Sequence, residues 1–220
     1  MRKLELWPRP PRLVITLMTW FFLISLLSGC GKPPNAVEKY ILEYSSPVIG
    51  ARPQLDQNLT VEQFAVAQAY NSTDMVYRPS PYKSDVYRYH RWRVNPGYLV
   101  TDYLIRDLRN SRLFRGVFLG PNSGNSRYQL EGTVEDFQEL DEPEGWKASL
   151  AINVTLLDTA QELMPQRVVF QRNYRDVEPL VQKTPHGLAQ GMSQAMENVS
   201  AQIIDDVYQA CHNRPVVQGK

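Results

Sequence analysis

The sequence predicts an α/β (α+β) domain, a mixed and mostly antiparallel sheet flanked by two main helices. Three observations predict it. Trp146, Ala148, Leu150, Ile152, Val154 and Leu156 alternate without a break, the period of two expected of a strand with one buried face. Leu188, Met192, Ala195, Val199, Ile203 and Val207 recur in steps of three and four, the apolar stripe of an amphipathic helix. The segments follow in the order β–β–β–β–α–β–β–β–β–α, and helices with a single apolar stripe must bury it against such a sheet.

The chain has 220 residues, and its first 29 belong to no fold. Arg2, Lys3, Arg9 and Arg12 make a basic start, Leu13 to Leu27 an apolar run, and Ser28-Gly29 a small-residue step before Cys30. This is the layout of a secretion signal. The rival, an uncleaved membrane helix, is short: fifteen residues at ~1.5 Å each span ~22 Å against a hydrocarbon core of ~30 Å. Residues 30–37 then read as a tether. Pro33-Pro34 favours extended backbone.

The domain is expected over 38–212. Glu38 to Tyr44 reads as its first strand, with Tyr40, Leu42 and Tyr44 on one side, and 45–58 as a loop carrying Pro47, Gly50 and Pro53. A second strand is expected over 59–67. Asp74–Arg78 and Val86–Trp92 read as a hairpin. Pro96 and Gly97 open a helix to about Ser111, with Leu99, Tyr103, Leu104 and Leu108 on one face. Phe114–Leu119 returns as a strand. Arg127–Leu140 and Gly145–Leu157 read as the longest strands, joined by a turn containing Asp141, Pro143 and Gly145, and Arg167–Tyr174 as one more. Thr184 caps the last helix and Pro185 fits its first turn. Residues 213–220 read as a frayed tail.

Composition narrows the function. Removing the first 29 residues from 220 leaves 191, enough for one sizeable core. Removal also takes four of 24 basic residues and one of 23 acidic ones, so the remaining charge is −2. That excludes a basic nucleic-acid-binding domain. No polybasic segment is present to bind anionic lipid heads. The cysteines are Cys30 and Cys211. With Cys30 modified, Cys211 has no partner in the chain and reads as a small half-buried residue ending the last helix, or as one half of an intermolecular disulfide.

Leu27-Ser28-Gly29-Cys30 resembles the lipobox of bacterial lipoproteins. The resemblance implies a diacylglycerol on the Cys30 thiol, cleavage before Cys30, and acylation of the new amine. More than one acyl chain makes such an anchor stable.

Met75-Val76-Tyr77-Arg78 and Tyr87-Arg88-Tyr89-His90-Arg91-Trp92 followed by Pro96 resemble the ABC-type transport auxiliary lipoproteins, as do Tyr40-Ile41-Leu42, Ser111 to Val117 and Tyr128 to Gly132. The order of these motifs carries the resemblance more than any one of them. It implies a non-enzymatic partner of a lipid transporter: an ABC permease, an ATPase and a periplasmic protein of the mammalian-cell-entry type. It also implies a three-layer fold similar to the N-terminal domain of TolB. By the sorting convention of such lipoproteins, aspartate after the cysteine retains the protein in the inner membrane. Gly31 stands there, so the periplasmic side of the outer membrane is expected. The alternative is an envelope lipoprotein that itself binds a lipid or another hydrophobic ligand.

No cofactor and no enzyme activity are expected. His90, His186 and His212 are not at ligand spacing from one another, and no nucleophile elbow, Walker loop or dinucleotide glycine pattern occurs. Gly120 to Asn125 reads as a turn. Asp136, Glu139, Asp141, Glu142 and Glu144 read as a solvated face at a hairpin tip. Tyr77, Arg78, Tyr82, Tyr87, Tyr89, Arg91 and Trp92 crowd into sixteen residues, and Tyr, Arg and Trp are the residue types of binding hot spots. They are candidate partner contacts. They equally suit half-buried strands in which arginine stems pack over rings.

Overall fold

The structure, a computed structural model, describes residues 36–120 and 126–214. The signal segment, Cys30 with most of its tether, the remainder of the 120–125 turn and the tail beyond Arg214 lie outside the described residues. Val37 onward forms one contact unit.

The strands are β1 (Glu38–Tyr40), β2 (Leu55–Val61), β3 (Ala65–Val66), β4 (Asp74–Ser80), β5 (Lys83–Trp92), β6 (Phe114–Leu119), β7 (Tyr128–Glu142), β8 (Gly145–Asp158) and β9 (Val168–Pro179). The helices are α1 (Pro96–Ser111), the short α2 (Met164–Arg167) and α3 (Pro185–His212). Strand β7 is the spine. One of its edges pairs antiparallel with β8 along its whole length, and β9 adds antiparallel to β8. The other edge is shared in parallel by β2, β3 and β4. Beyond them lie β6, parallel to β2, and β5, antiparallel to β4, with β1 parallel to β5 at the end. The sheet is therefore mixed, and its two longest ladders are antiparallel.

Local chemistry explains the helix ends. The Asn95 side chain accepts from the Gly97 N–H at 2.9 Å, Pro96 fills the first turn of α1, and Arg112 at φ 56 closes it in the left-handed region. Thr184 accepts from the Gly187 N–H at 3.0 Å to start α3. The expected stripe of α3, from Leu188 to Val207, is fully buried, as is the Ala148-to-Leu156 alternation of β8. The two long helices meet each other over one continuous core that includes Leu104, Leu108, Phe137 and Met196.

Several expected boundaries shift, each for a reason outside its own segment. The 59–67 run is two strands because the Phe64 N–H turns away to the Thr101 hydroxyl of α1 at 2.9 Å. The run also starts earlier, at Leu55, where β6 supplies a parallel neighbour. The first strand stops at Tyr40 although Leu42 is buried. Its continuation bonds to side chains instead: the Glu43 N–H donates to Ser193 at 2.9 Å and the Leu42 carbonyl accepts from Tyr103. Trp146 does not join the buried face of β8. It is 41% exposed, with the Lys183 ammonium 5.5 Å from its ring.

Asp107 on α1 ties the irregular 41–54 segment to both helices. Its carboxylate is completely buried and accepts from Tyr44, Ser46 and Ser200, each at 2.7 Å, and from Arg106 Nε at 2.9 Å. Arg106 also lies over the rings of Tyr44 and Tyr103. Cys211 is 3% exposed, and burial pushes its thiol far above the ordinary value. It is a core residue of α3, more buried than its place near the chain end suggests.

Candidate partner-docking site

The β4–β5 hairpin divides the aromatic and arginine run into three environments. Trp92 is 1% exposed and packs edge-on against Phe137 with ring centres 5.1 Å apart. It offers no surface, so its place among the candidate contacts is corrected: alternation at the end of β5 turns it into the core. Arg91 is half-buried, pairs with Asp74 at 2.8 Å and donates to the carbonyls of Tyr87 and His90. It holds the irregular pairing of the hairpin rather than facing solvent. Tyr77 and Tyr87 pack on each other, ring centres 5.0 Å apart.

Arg78, Arg88 and Tyr89 are exposed, Arg88 lying 5.9 Å from the Tyr89 ring centre. Tyr82, at φ 66 in the turn, is fully exposed. β1 covers only His90–Trp92. Among the described residues, the outer edge of β5 from Lys83 to Tyr89 pairs with nothing. An unpaired strand edge is a row of N–H and C=O groups ready to accept another strand.

Beneath the hairpin lies a cluster that the sequence reading placed in solvent. Asp136, Glu139 and Asp141 are not a solvated face. Asp136 accepts from Gln138 and Ser149 and pairs with Arg175 at 3.3 Å. Glu139 is fully buried and accepts from the Tyr87 hydroxyl at 2.8 Å, while Asp141 pairs with Lys183. The missed signal is a β-bulge at Val134–Asp136, which shifts the alternation so that Phe137 and Glu139 both point inward. Only Glu142 and Glu144 fit the expected tip, and Glu142 pairs with Lys147 at 2.6 Å.

Burial, and then the neighbouring Asp141 carboxyl, push Glu139 up to about 7, against the opposing hydrogen bond from Tyr87. The folded state thus holds a proton that the unfolded chain releases. This contribution to stability is complete below the ordinary carboxyl value of 4.5 and is lost as pH rises through about 7. The unfolding free energy from urea titrations should therefore fall between mildly acidic and mildly alkaline pH, by on the order of 2 kcal/mol from this group. Glu139→Gln should flatten that slope. An unchanged slope in the variant would remove Glu139 as its source.

Among the described residues no group of His, Cys, Asp or Glu is arranged to hold a metal ion, and no helix is long and apolar enough to cross a membrane. The model of the ABC-type transport auxiliary lipoprotein component family matches residues 40–204. The chain belongs to this family.

The auxiliary lipoprotein domain is similar in fold to two solved structures. A Xanthomonas campestris protein of family DUF330 has a TM-score of 0.72 at 21% identity, covering 80% of this chain and 97% of that one. An uncharacterized protein has a TM-score of 0.62 at 16% identity, covering 78% and 99%. No curated protein matches the chain. Membership gives this auxiliary lipoprotein an accessory role with an ABC-type transport system and a place in the cell envelope.

Proposed function

We propose that the protein is a non-enzymatic accessory component of an ABC-type lipid transport system of the mammalian-cell-entry type. Cys30, carrying diacylglycerol and an N-acyl chain, anchors it to the periplasmic side of the outer membrane. The hairpin docks the periplasmic protein of the transport assembly, which works with the permease and ATPase. The single observation that carries the docking is the outer edge of β5, Lys83–Tyr89, unpaired among the described residues and beside exposed Arg88 and Tyr89. Arg91 and Trp92 support that edge from below, and Tyr77 and Tyr87 fix it to β7 through Glu139.

The test is binding between the mature protein and the mammalian-cell-entry type protein encoded beside it, measured by surface plasmon resonance. Arg88→Glu combined with Tyr89→Ala should weaken binding by roughly tenfold or more, about 1–2 kcal/mol, without changing the unfolding midpoint. Undiminished affinity in that double variant would rule out the β5 edge as the dock.

A second reading has one observation in its favour. An open cleft of about 320 Å³ lies between the 40–43 segment and α3, lined by Tyr40, Ile41, Glu43, His186, Ala189 and Ser193. Its size is at the lower limit for small-molecule pockets. A lipid retained by the protein in native mass spectrometry would favour it.

A further inference from the structure

Three loops meet at one end of the sheet. β4 runs parallel to β7 with Tyr77 beside Glu139 and Arg78 beside Leu140, so the turn at Pro81–Tyr82 lies at the same end as the turn at Pro143–Glu144. β9 ends there too: Pro179 pairs with Lys147, and the Leu180 N–H donates to the Trp146 carbonyl at 2.8 Å. The 180–184 loop that follows returns Lys183 over Trp146. This end therefore carries Tyr82 (108% exposed), Val181 (81%) and the half-exposed ring of Trp146, with Pro81 and Pro143 exposed in the turns.

Its charges nearly cancel. Lys147 pairs with Glu142 and Lys183 with Asp141, and the exposed Arg78 and Lys83 are matched in number by the exposed Asp85 and Glu144. Tyrosine and tryptophan with a polar handle, interleaved with lysines whose stems lie along apolar surface, are the composition of a headgroup-level contact. It is not the composition of an electrostatic one.

The direction of the chain points to the same end. β1 is parallel to β5, with Glu38 beside His90, so the N-terminal end of β1 is directed toward the β4–β5 turn. From His90 back to Lys83 is seven strand steps, about 23 Å. The eight steps from Cys30 to Glu38 reach about 28 Å when extended. A tether attached at Cys30 is long enough to bring this end down to its membrane.

We infer that this end of the domain, with Tyr82, Trp146 and Val181 foremost, rests on the surface of the same bilayer that holds the anchor. The inference rests on the Cys30 anchor proposed above. It gives the domain a fixed stance: β5 and β9 stand up from the membrane, and the open edge of β5 is presented sideways to a partner.

Once the signal is removed, the tryptophans that remain are Trp92, which is buried, and Trp146. Trp146 is thus a built-in probe. The lipidated full-length mature protein is reconstituted into phosphatidylethanolamine–phosphatidylglycerol vesicles, with and without brominated acyl chains, and floated on a density gradient. The expected result is flotation with Trp146 emission quenched by the brominated lipid and little affected by added salt. The quenchable component should be lost in Trp146→Phe and reduced in Tyr82→Ser combined with Val181→Ser. Protein that floats with unquenched Trp146 overturns the seating while leaving the anchor intact. Trp146 that responds instead to the transport partner overturns it in favour of a protein contact. Protein that does not float overturns the anchor, and this inference with it.

Discussion

Asp107→Ala is expected to lower the unfolding free energy by about 3–5 kcal/mol, among the largest effects of a single substitution in the domain. The reason is the number of donors left behind. The hydroxyls of Tyr44, Ser46 and Ser200 and the Arg106 guanidinium all point at one buried carboxylate. Removing it leaves the buried Ser200 hydroxyl without its acceptor and strips the half-buried Tyr44, Ser46 and Arg106 of a charged one, and a buried donor without an acceptor costs about 1–3 kcal/mol. The effect spreads because the three hydroxyls come from two parts of the chain, the 41–54 segment and α3. Asp107→Asn keeps the shape but turns one acceptor oxygen into a donor group facing donors, and should recover only part of the loss. Chemical denaturation of the mature protein measures both. A shift below about 1 kcal/mol for Asp107→Ala would mean that the cluster has no structural weight.

Cys30→Ala is expected to abolish lipid-mediated membrane attachment. Under the anchor reading no other part of the chain supplies the stable hold of several acyl chains. Among the described residues no helix is long and apolar enough to replace it. The variant should either appear in the soluble periplasmic fraction or remain attached only through an uncut signal, visible as a larger mass. Fractionation followed by mass spectrometry of the N-terminal peptide separates these outcomes. A normally processed variant that still sediments with membranes would defeat the anchor reading. The stability of the domain beyond Val37 should not change, because the anchor and the Asp107 cluster are independent properties of the chain.

The residues differ in how far their roles could be read before the structure. The hairpin of β4 and β5 was legible because its signals are local: two β-prone runs and the prolines between them. Helix α3 was legible because one stripe repeats over 28 residues. The candidate site was legible in composition but not in orientation. Seven aromatic and basic residues within sixteen positions mark a dense surface or a packed one equally well. Only the turn of β5 decides that Trp92 packs on Phe137 while Tyr89 faces outward. Glu139 was misread because its burial follows from a one-residue bulge and from a hairpin some 50 residues earlier.

By itself the sequence determined what depends on neighbours along the chain: the signal layout expected to end at Cys30, the helix starts at Pro96 and Thr184, the strand periods and the family pattern. The tertiary structure alone decided what depends on neighbours in space. The parallel pairings of β1, β2, β3 and β4 join segments with no local signature of partnership. Among the described residues the same pairings leave one edge of β5 unpaired and gather Tyr82, Trp146 and Val181 at a single end. A strand's period states which residues share a face. It carries no information about which strand lies beside it, because the backbone groups that choose the partner are the same in every residue.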